Sequence, residues 1–529
     1  MLWRNPIFIR FCHAELRARK AAFWCLLTLI VTAFTVAITF VPQVLREVPA
    51  QEAARSAFFP ILVIQGILLL FFGTGSVATG IAREKVDQVL DYQRLTPLPV
   101  WRKLTGYLFG LPVRDYVLFL LTVPFLVFVL IVGNIPPSAF VPYYLVFFSS
   151  ALLYHLTGMV AGMVSKRWRW SARISQGLIL LLYFVLPQLS HFGLVFLEFL
   201  TVRPVFMEKI LPLIGRGEDN EVIEMGLFAG KAVPFFTVVI SGTVFSLLLQ
   251  VLLIALFAAI STRKWKAESV PAISKVLALA VFGSFAFISL ANLWPTLRGD
   301  PGALKLFQTD TNLSLQLSWA AIPIILTMVT TFLGFGLLAS AVPDPERRRL
   351  GELRRVRLGL SALPRWDDAA PGRLVLLGLG GIQILLLAAI YGTLAVSQGD
   401  ELSRLRLWAI PVLMAACVLN LAHFRGIKET YDGSRLGLFL LMGWLLPLLA
   451  AILLVAADID FGPVAMYIAV LSPLSLLPLA GLHVLPAEQF NTYAGTMANA
   501  LLLGFALLAL LNLALLLRLR KQNRRFPPQ

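Results

Sequence analysis

The sequence predicts an all-α polytopic membrane protein of about twelve transmembrane helices, arranged as two six-helix repeats. Each repeat carries an outer re-entrant or interfacial segment before its last helix. Three observations carry this expectation. Hydrophobic residues fill 58% of the 529 positions and charged residues only 14%, with a mean hydropathy of +0.82. That is more apolar surface than a water-soluble core can hide. Apolar runs at 21–41, 116–132, 232–260 and 436–454 are each near or above the roughly 20 residues that cross hydrocarbon as a helix. Finally, short motifs of the first half recur in the second in the same order, and internal self-similarity marks a repeat.

The elements follow in order. The basic stretch before Ala21 precedes a long apolar run without a small-residue cleavage site, so the first helix reads as retained and not as a signal peptide. Lys and Arg then cluster in the N-terminal segment and in 83–114, 166–173, 263–275, 347–373, 425–435 and the tail from Arg518. Few lie in the alternate loops around Arg46, Arg203, Arg298 and Arg404. The bias places both termini in the cytoplasm of a bacterial-type inner membrane. Basic ends on one side demand an even number of crossings. The run 466–482, interrupted by Pro473 and Pro478 and without flanking cations, is therefore read as the re-entrant or interfacial segment.

The formal charge of +17 would suggest nucleic acid in a soluble protein. Here the cations sit in short loops between apolar runs, so nucleic acid is not implied. Cys12, Cys25 and Cys417 show no metal-ligand spacing and read as small interior residues. No metal or other cofactor is expected.

The repeat boundaries fall at 1–266 and 267–529, the second repeat being more divergent. Leu95, Leu98, Pro99 and Trp101 match Leu360, Leu363, Pro364 and Trp366. Leu211-Pro212-Leu213 with Gly215 matches Leu477-Pro478-Leu479 with Gly481. Ala229-Gly230 matches Ala494-Gly495, and Gly177 with Pro187 matches Gly437 with Pro447. Such internal symmetry is common in transporters.

The most informative stretch is 80–110, which begins where the second span ends. Arg83, Glu84, Lys85, Asp87 and Asp91 alternate with Val86, Val89, Leu90 and Tyr92, predicting a partly amphipathic cytoplasmic helix. Thr96-Pro97 ends it, because proline removes a donor and bars the preceding residue from the α conformation. A second short helix is expected from about Pro99, with Trp101 as an aromatic knob and Arg102 and Lys103 near the headgroups.

This stretch resembles the permease subunits of type-2 ABC exporters, in Glu84, Lys85, Leu95, Thr96, Pro97 and Leu98. Asn5-Pro6-Ile7-Phe8, followed by Glu15, Arg17, Arg19 and Lys20, is similar to the interfacial helix before the first span of that family. The resemblance covers residues 1 to about 266 well and the second half more loosely. It implies a short cytoplasmic element, including Pro99, Trp101 and Arg102, that docks in a cleft of a separate ABC ATPase. Closure of two such ATPases then moves the helices, and the export substrate stays unspecified. In the second half Ser361-Ala362 replaces Thr96-Pro97, and the basic segment 347–357 suits either an ATPase or anionic membrane lipid.

No G-x-x-x-x-G-K-[ST] occurs, and the glycine-rich 73–80 lies in a span without the required lysine. The chain is thus not expected to be an ATPase or another enzyme. Two alternatives stay open. A secondary transporter would need ionisable groups inside its spans, where only Glu198 is acidic, with His155 and His191 in or near spans. A membrane-embedded enzyme would need clustered acids or histidines. Asp458 with Asp460 could bind a cation but reads as a solvated turn, as does the acidic run Glu218, Asp219, Glu221 and Glu224.

Overall fold

The computed structural model describes residues 2–165, 168–214, 233–267, 270–299, 321–397, 406–457, 460, 462–484 and 494–524. Its chain is helical nearly throughout, with only two short strands, β1 (Val233–Phe235) and β2 (Val238–Ile240), among the described residues. Eleven described helices are long and apolar enough to cross a membrane, and counting one bent pair as a span gives twelve. The all-α polytopic fold class holds. The chain divides into two compact units, residues 1–234 with 238–272, and residues 235–237 with 273–529.

The first unit opens with α1 (Pro6–Glu15), whose start is fixed by Asn5: its Oδ1 accepts the Ile7 N–H at 3.1 Å, and Pro6 supplies the preset first turn. Four long spans follow: α2 (Ala18–Leu45), α3 (Ala50–Gly66) continuing into α4 (Gly73–Val86), α7 (Val113–Val132) and α8 (Pro137–Val164). Next come α9 (Trp168–Phe184), 3-10 turns at Leu186–Phe192 and Val195–Leu200, the short helices α10 (Arg203–Lys209) and α11 (Leu211–Ile214), and the last span α12 (Gly242–Lys266). Residues 233–241, expected within an apolar helix, are instead outside it: they form β1, β2, the turn between them and the Ser241 cap of the last span. Glu198, expected inside a span, lies buried in a short 3-10 turn, Val195–Leu200. Gly215, Ala229, Gly230 and the acidic run 218–224 lie outside the described residues.

Two features bind the first unit's core. Gly158 and Gly162 of α8 face α4 so closely that a methyl group would lie 2.8 Å from the Thr74 carbonyl oxygen and 2.7 Å from that of Ala78. This small-x-x-x-small seam lets two backbones approach where lipid offers no hydrophobic drive. Gly162→Ala is expected to destabilise the detergent-purified chain by about 1–3 kcal/mol through overpacking, read as a lower melting temperature; an unchanged midpoint would show that the seam has spare room. The second feature is a π turn, Ile67–Phe72, joining α3 to α4. Such a turn disturbs the regular ladder. The His155 ring answers part of this, with Nε2 3.0 Å from the Leu69 carbonyl oxygen and Nδ1 3.1 Å from the Tyr116 hydroxyl. A carbonyl only accepts, so Nε2 carries the proton and Nδ1 accepts from Tyr116. The histidine is a hydrogen-bonded interior residue. The side chain of His191 lies outside the described set.

The second unit has six long spans: α13 (Lys275–Leu297), 323–341, 373–397, 407–430, 435–457 and 494–521. A basic helix, Pro345–Arg357, follows the second, capped by Asp344 Oδ1, which accepts the Arg347 N–H at 2.8 Å. Gly462–Ala469 and Pro473–Val484 meet at 115°, breaking where Pro473 predicts. The span 435–457 also holds a π turn, Leu441–Leu445, and here the Ser472 hydroxyl donates to the Trp444 carbonyl at 2.6 Å. Asp458 lies outside the described residues.

Candidate functional site

The stretch 80–110 forms an elbow. α4 runs to Val86, Gln88 adopts a left-handed conformation (φ 59°), and α5 (Val89–Leu95) starts after it. The single amphipathic helix expected over this region is therefore broken in two. Left-handed backbone at a non-glycine residue is uncommon and forces the chain to change direction. α5 stops at Thr96-Pro97, as proline demands, and α6 (Val100–Gly110) follows Pro99.

The base of the elbow is buried and tied on several sides. Glu84 accepts hydrogen bonds from Arg10 of α1 and from the Tyr107 hydroxyl of α6. Burial, together with the Glu84 carboxylate, pushes the fully buried Tyr107 phenol far above its ordinary range. Asn5 Nδ2 donates to the Arg102 carbonyl at 2.6 Å. α1 approaches α6 closely at Gly106 and Gly110, where a methyl group would come within 2.9 Å of Asn5 Oδ1 and of the Phe11 ring. Leu90, Leu104 and Tyr107 join Ile7, Phe11 and Trp265 in one apolar cluster.

Three cations complete the frame by capturing carbonyls at helix C-termini, which lack intrahelical partners and sit at the negative dipole end. Lys85 Nζ donates to the Met163 carbonyl at 2.9 Å, at the end of α8. Arg94 Nε donates to the Trp265 carbonyl at 3.1 Å, at the end of α12, and its guanidinium also pairs with Asp91. Lys103 Nζ donates to the Gln93 carbonyl at 2.6 Å and the Thr96 carbonyl at 2.9 Å, closing α5. Lys103 is only 3% exposed, which corrects the expectation that it points to headgroups. Burial lowers its pKa. Lys103→Met is expected to quicken amide exchange over 89–99 by about 10- to 100-fold, for a local loss of about 2 kcal/mol; exchange as slow as in the wild type would remove this lysine from the frame.

The tip is the opposite in character. Leu95 is 85% exposed and Trp101 55%, with Tyr92, Pro97 and Pro99 also exposed. Thr96 and Leu98 are half-buried, and the exposed Arg102 sets its guanidinium 5.4 Å from the Trp101 ring centroid. Thus Leu95, Pro97, Pro99, Trp101 and Arg102 share the outer surface, whereas Glu84 and Lys85 belong to the base.

The second unit has a counterpart built differently. Leu360, Pro364 and Trp366 are exposed and Leu363 is half-buried, but turns alone connect Pro364 to the next span at Arg373. There is no equivalent of α6. The turn is held by Lys275, fully buried at the start of α13, whose Nζ donates to the carbonyls of Asp367 at 2.7 Å and Ala370 at 2.6 Å. Arg354 adds an ion pair to Asp367 at 2.5 Å.

The buried acids and Lys or Arg of the described spans sit near span ends: Asp115 in α7, Lys275 in α13, and Arg425 with Glu429 in 407–430, whereas the buried His155 of α8 and His423 of 407–430 lie further in. Cys417 is buried, and the three cysteines are free. Among the described residues no group of three or more His, Cys, Asp or Glu is placed to hold a metal ion. Comparison with protein-family models, with curated proteins and with solved structures gives no match for the chain. The fold and the elbow thus define a multi-pass membrane protein of transporter-like architecture.

Proposed function

We propose that the chain is the transmembrane permease of an ATP-driven ABC exporter in a bacterial-type inner membrane, with both termini cytoplasmic. The observation that carries this reading is the first elbow: an apolar tip left uncovered by the chain on a base fixed to α1, α8 and α12. Exposed large apolar residues in a rigid array mark interaction sites. A partner closing on Leu95 and Trp101 would push a rigid lever joined to α4 and, through α6, to α7. A floppy loop would absorb the same displacement. The energy comes from a separate ATPase. Two copies would engage one chain, one at each elbow, the second through the exposed Leu360, Pro364 and Trp366.

The secondary-transporter alternative gains little support, since the buried acids, lysines and arginines sit near the ends of spans and the mid-span His155 is engaged by the Leu69 carbonyl and the Tyr116 hydroxyl. The test is site-specific photo-crosslinking in native membranes from positions 95 and 101, and from 366 for the second elbow. Adducts to a nucleotide-binding subunit are expected, their yield changing with ATP and vanadate. Adducts to lipid alone would overturn the proposal.

A further inference from the structure

A cavity of about 230 Å³ opens in the second unit among the helix Pro345–Arg357, the spans 373–397 and 407–430, and the last helix, Ala494–Arg524. Its walls carry Arg348, Arg373, Arg425 and Arg520 against a single carboxylate, Glu429. Glu429 is 2% exposed and already engaged: Oε1 accepts the Gly372 N–H at 2.8 Å, Arg425 Nε stands 3.4 Å away, and Arg348 Nη1 is 3.9 Å from Oε2. Arg425 is 7% exposed, and its buried Nε makes no hydrogen bond. Four guanidinium groups facing one carboxylate leave the lining strongly positive, and arginine forks match phosphate oxygens in geometry and charge.

Position and size narrow the ligand. Arg373 opens its span, while Arg425 and Arg520 stand near the ends of theirs. Leu516 and Leu519 of the last helix complete the wall, so the charged floor adjoins an apolar flank. The volume lies below the roughly 300–1,000 Å³ of pockets for drug-sized ligands and suits a headgroup more than a whole nucleotide.

We infer that this cavity binds a phosphate-bearing anion of headgroup size, supplied either by an anionic phospholipid or by free phosphate. The site stands apart from the exporter reading and would survive its failure. Anionic lipid attracts basic residues near a membrane at any position, each contributing modestly; a built site differs by depending on particular arginines.

The test uses the full chain in nanodiscs. The wild type is compared with Arg373→Gln/Arg520→Gln, both exposed rim residues that leave the Glu429 pairs intact, and with the control Arg349→Gln/Arg357→Gln on exposed positions of the neighbouring helix. Binding of phosphatidylglycerol is read by native mass spectrometry, with phosphatidylcholine as the neutral probe, and inorganic phosphate is added as a competitor and as a thermal stabiliser. Phosphatidylglycerol binding weakened about tenfold or more in the rim variant, but not in the control, supports the lipid source. Stabilisation by inorganic phosphate, lost in the rim variant alone, supports the free anion. Equal losses in both variants, or no preference for phosphatidylglycerol over phosphatidylcholine together with no stabilisation by inorganic phosphate, would overturn the site.

Discussion

A chain carrying Leu95→Asp and Trp101→Ala is expected to reach the membrane in wild-type amount and to bind the proposed ATPase subunit about a hundredfold more weakly. Both side chains lie on the protein surface, at 85% and 55% exposure, so their replacement disturbs little of the fold; surface changes of this kind usually stay within about 0.5 kcal/mol. In a docked complex they would become anchors. Truncated aromatic anchors cost about 2 kcal/mol or more at the centre of an interface, and aspartate at position 95 adds a charge to desolvate. Together that reaches about 3 kcal/mol, or roughly a hundredfold in affinity. Co-purification and transport-linked ATP hydrolysis measure the loss, with the melting temperature as the check on folding. Wild-type hydrolysis from this variant would remove the elbow tip from the coupling path. Glu84→Ala, by contrast, is expected to lower stability along with hydrolysis, since it strips Tyr107 and Arg10 of their shared acceptor.

The second large effect concerns Lys275→Met. This lysine is fully enclosed and holds the Asp367 and Ala370 carbonyls through bonds of 2.7 and 2.6 Å. Hydrogen bonds to charged groups contribute about 1.5–3 kcal/mol each. Relief from burying an ammonium offsets part of their loss. A net destabilisation of about 3 kcal/mol is expected, visible as a lower melting temperature and as proteolytic cleavage between 358 and 372. Resistance to protease equal to the wild type would show that the turn holds itself.

The spans and the stop at Thr96-Pro97 were legible because they depend on local chemistry: continuous apolar length, and a ring that forbids helix. The roles of Lys85, Arg94 and Lys103 were not. Cations beside a membrane look alike in sequence, and whether one faces headgroups or a carbonyl is decided by where a distant helix ends. Arg94 finds Trp265 and Lys85 finds Met163, pairings that no local pattern encodes. The break at Gln88 was hidden for a similar reason, since nothing in Asp87-Gln88 favours a left-handed turn. Leu98-Pro99-x-Trp101 and Leu363-Pro364-x-Trp366 match as strings, yet only the first is followed by a short helix. Gly106-x-x-x-Gly110 and Gly158-x-x-x-Gly162 went unread in the sequence, and they mark the close approaches of α1 to α6 and of α8 to α4.

The wide turn at Ile67–Phe72 sets the angular phase of everything beyond it along the same rod. Each residue of regular α-helix advances the azimuth by about 100°, so a single residue absorbed into or expelled from that turn would swing Glu84 and Lys85 through nearly a third of a revolution. In the proposed export cycle the lever would gain a rotary degree of freedom beside a translational one, with the His155 imidazole seated on the Leu69 carbonyl as its detent.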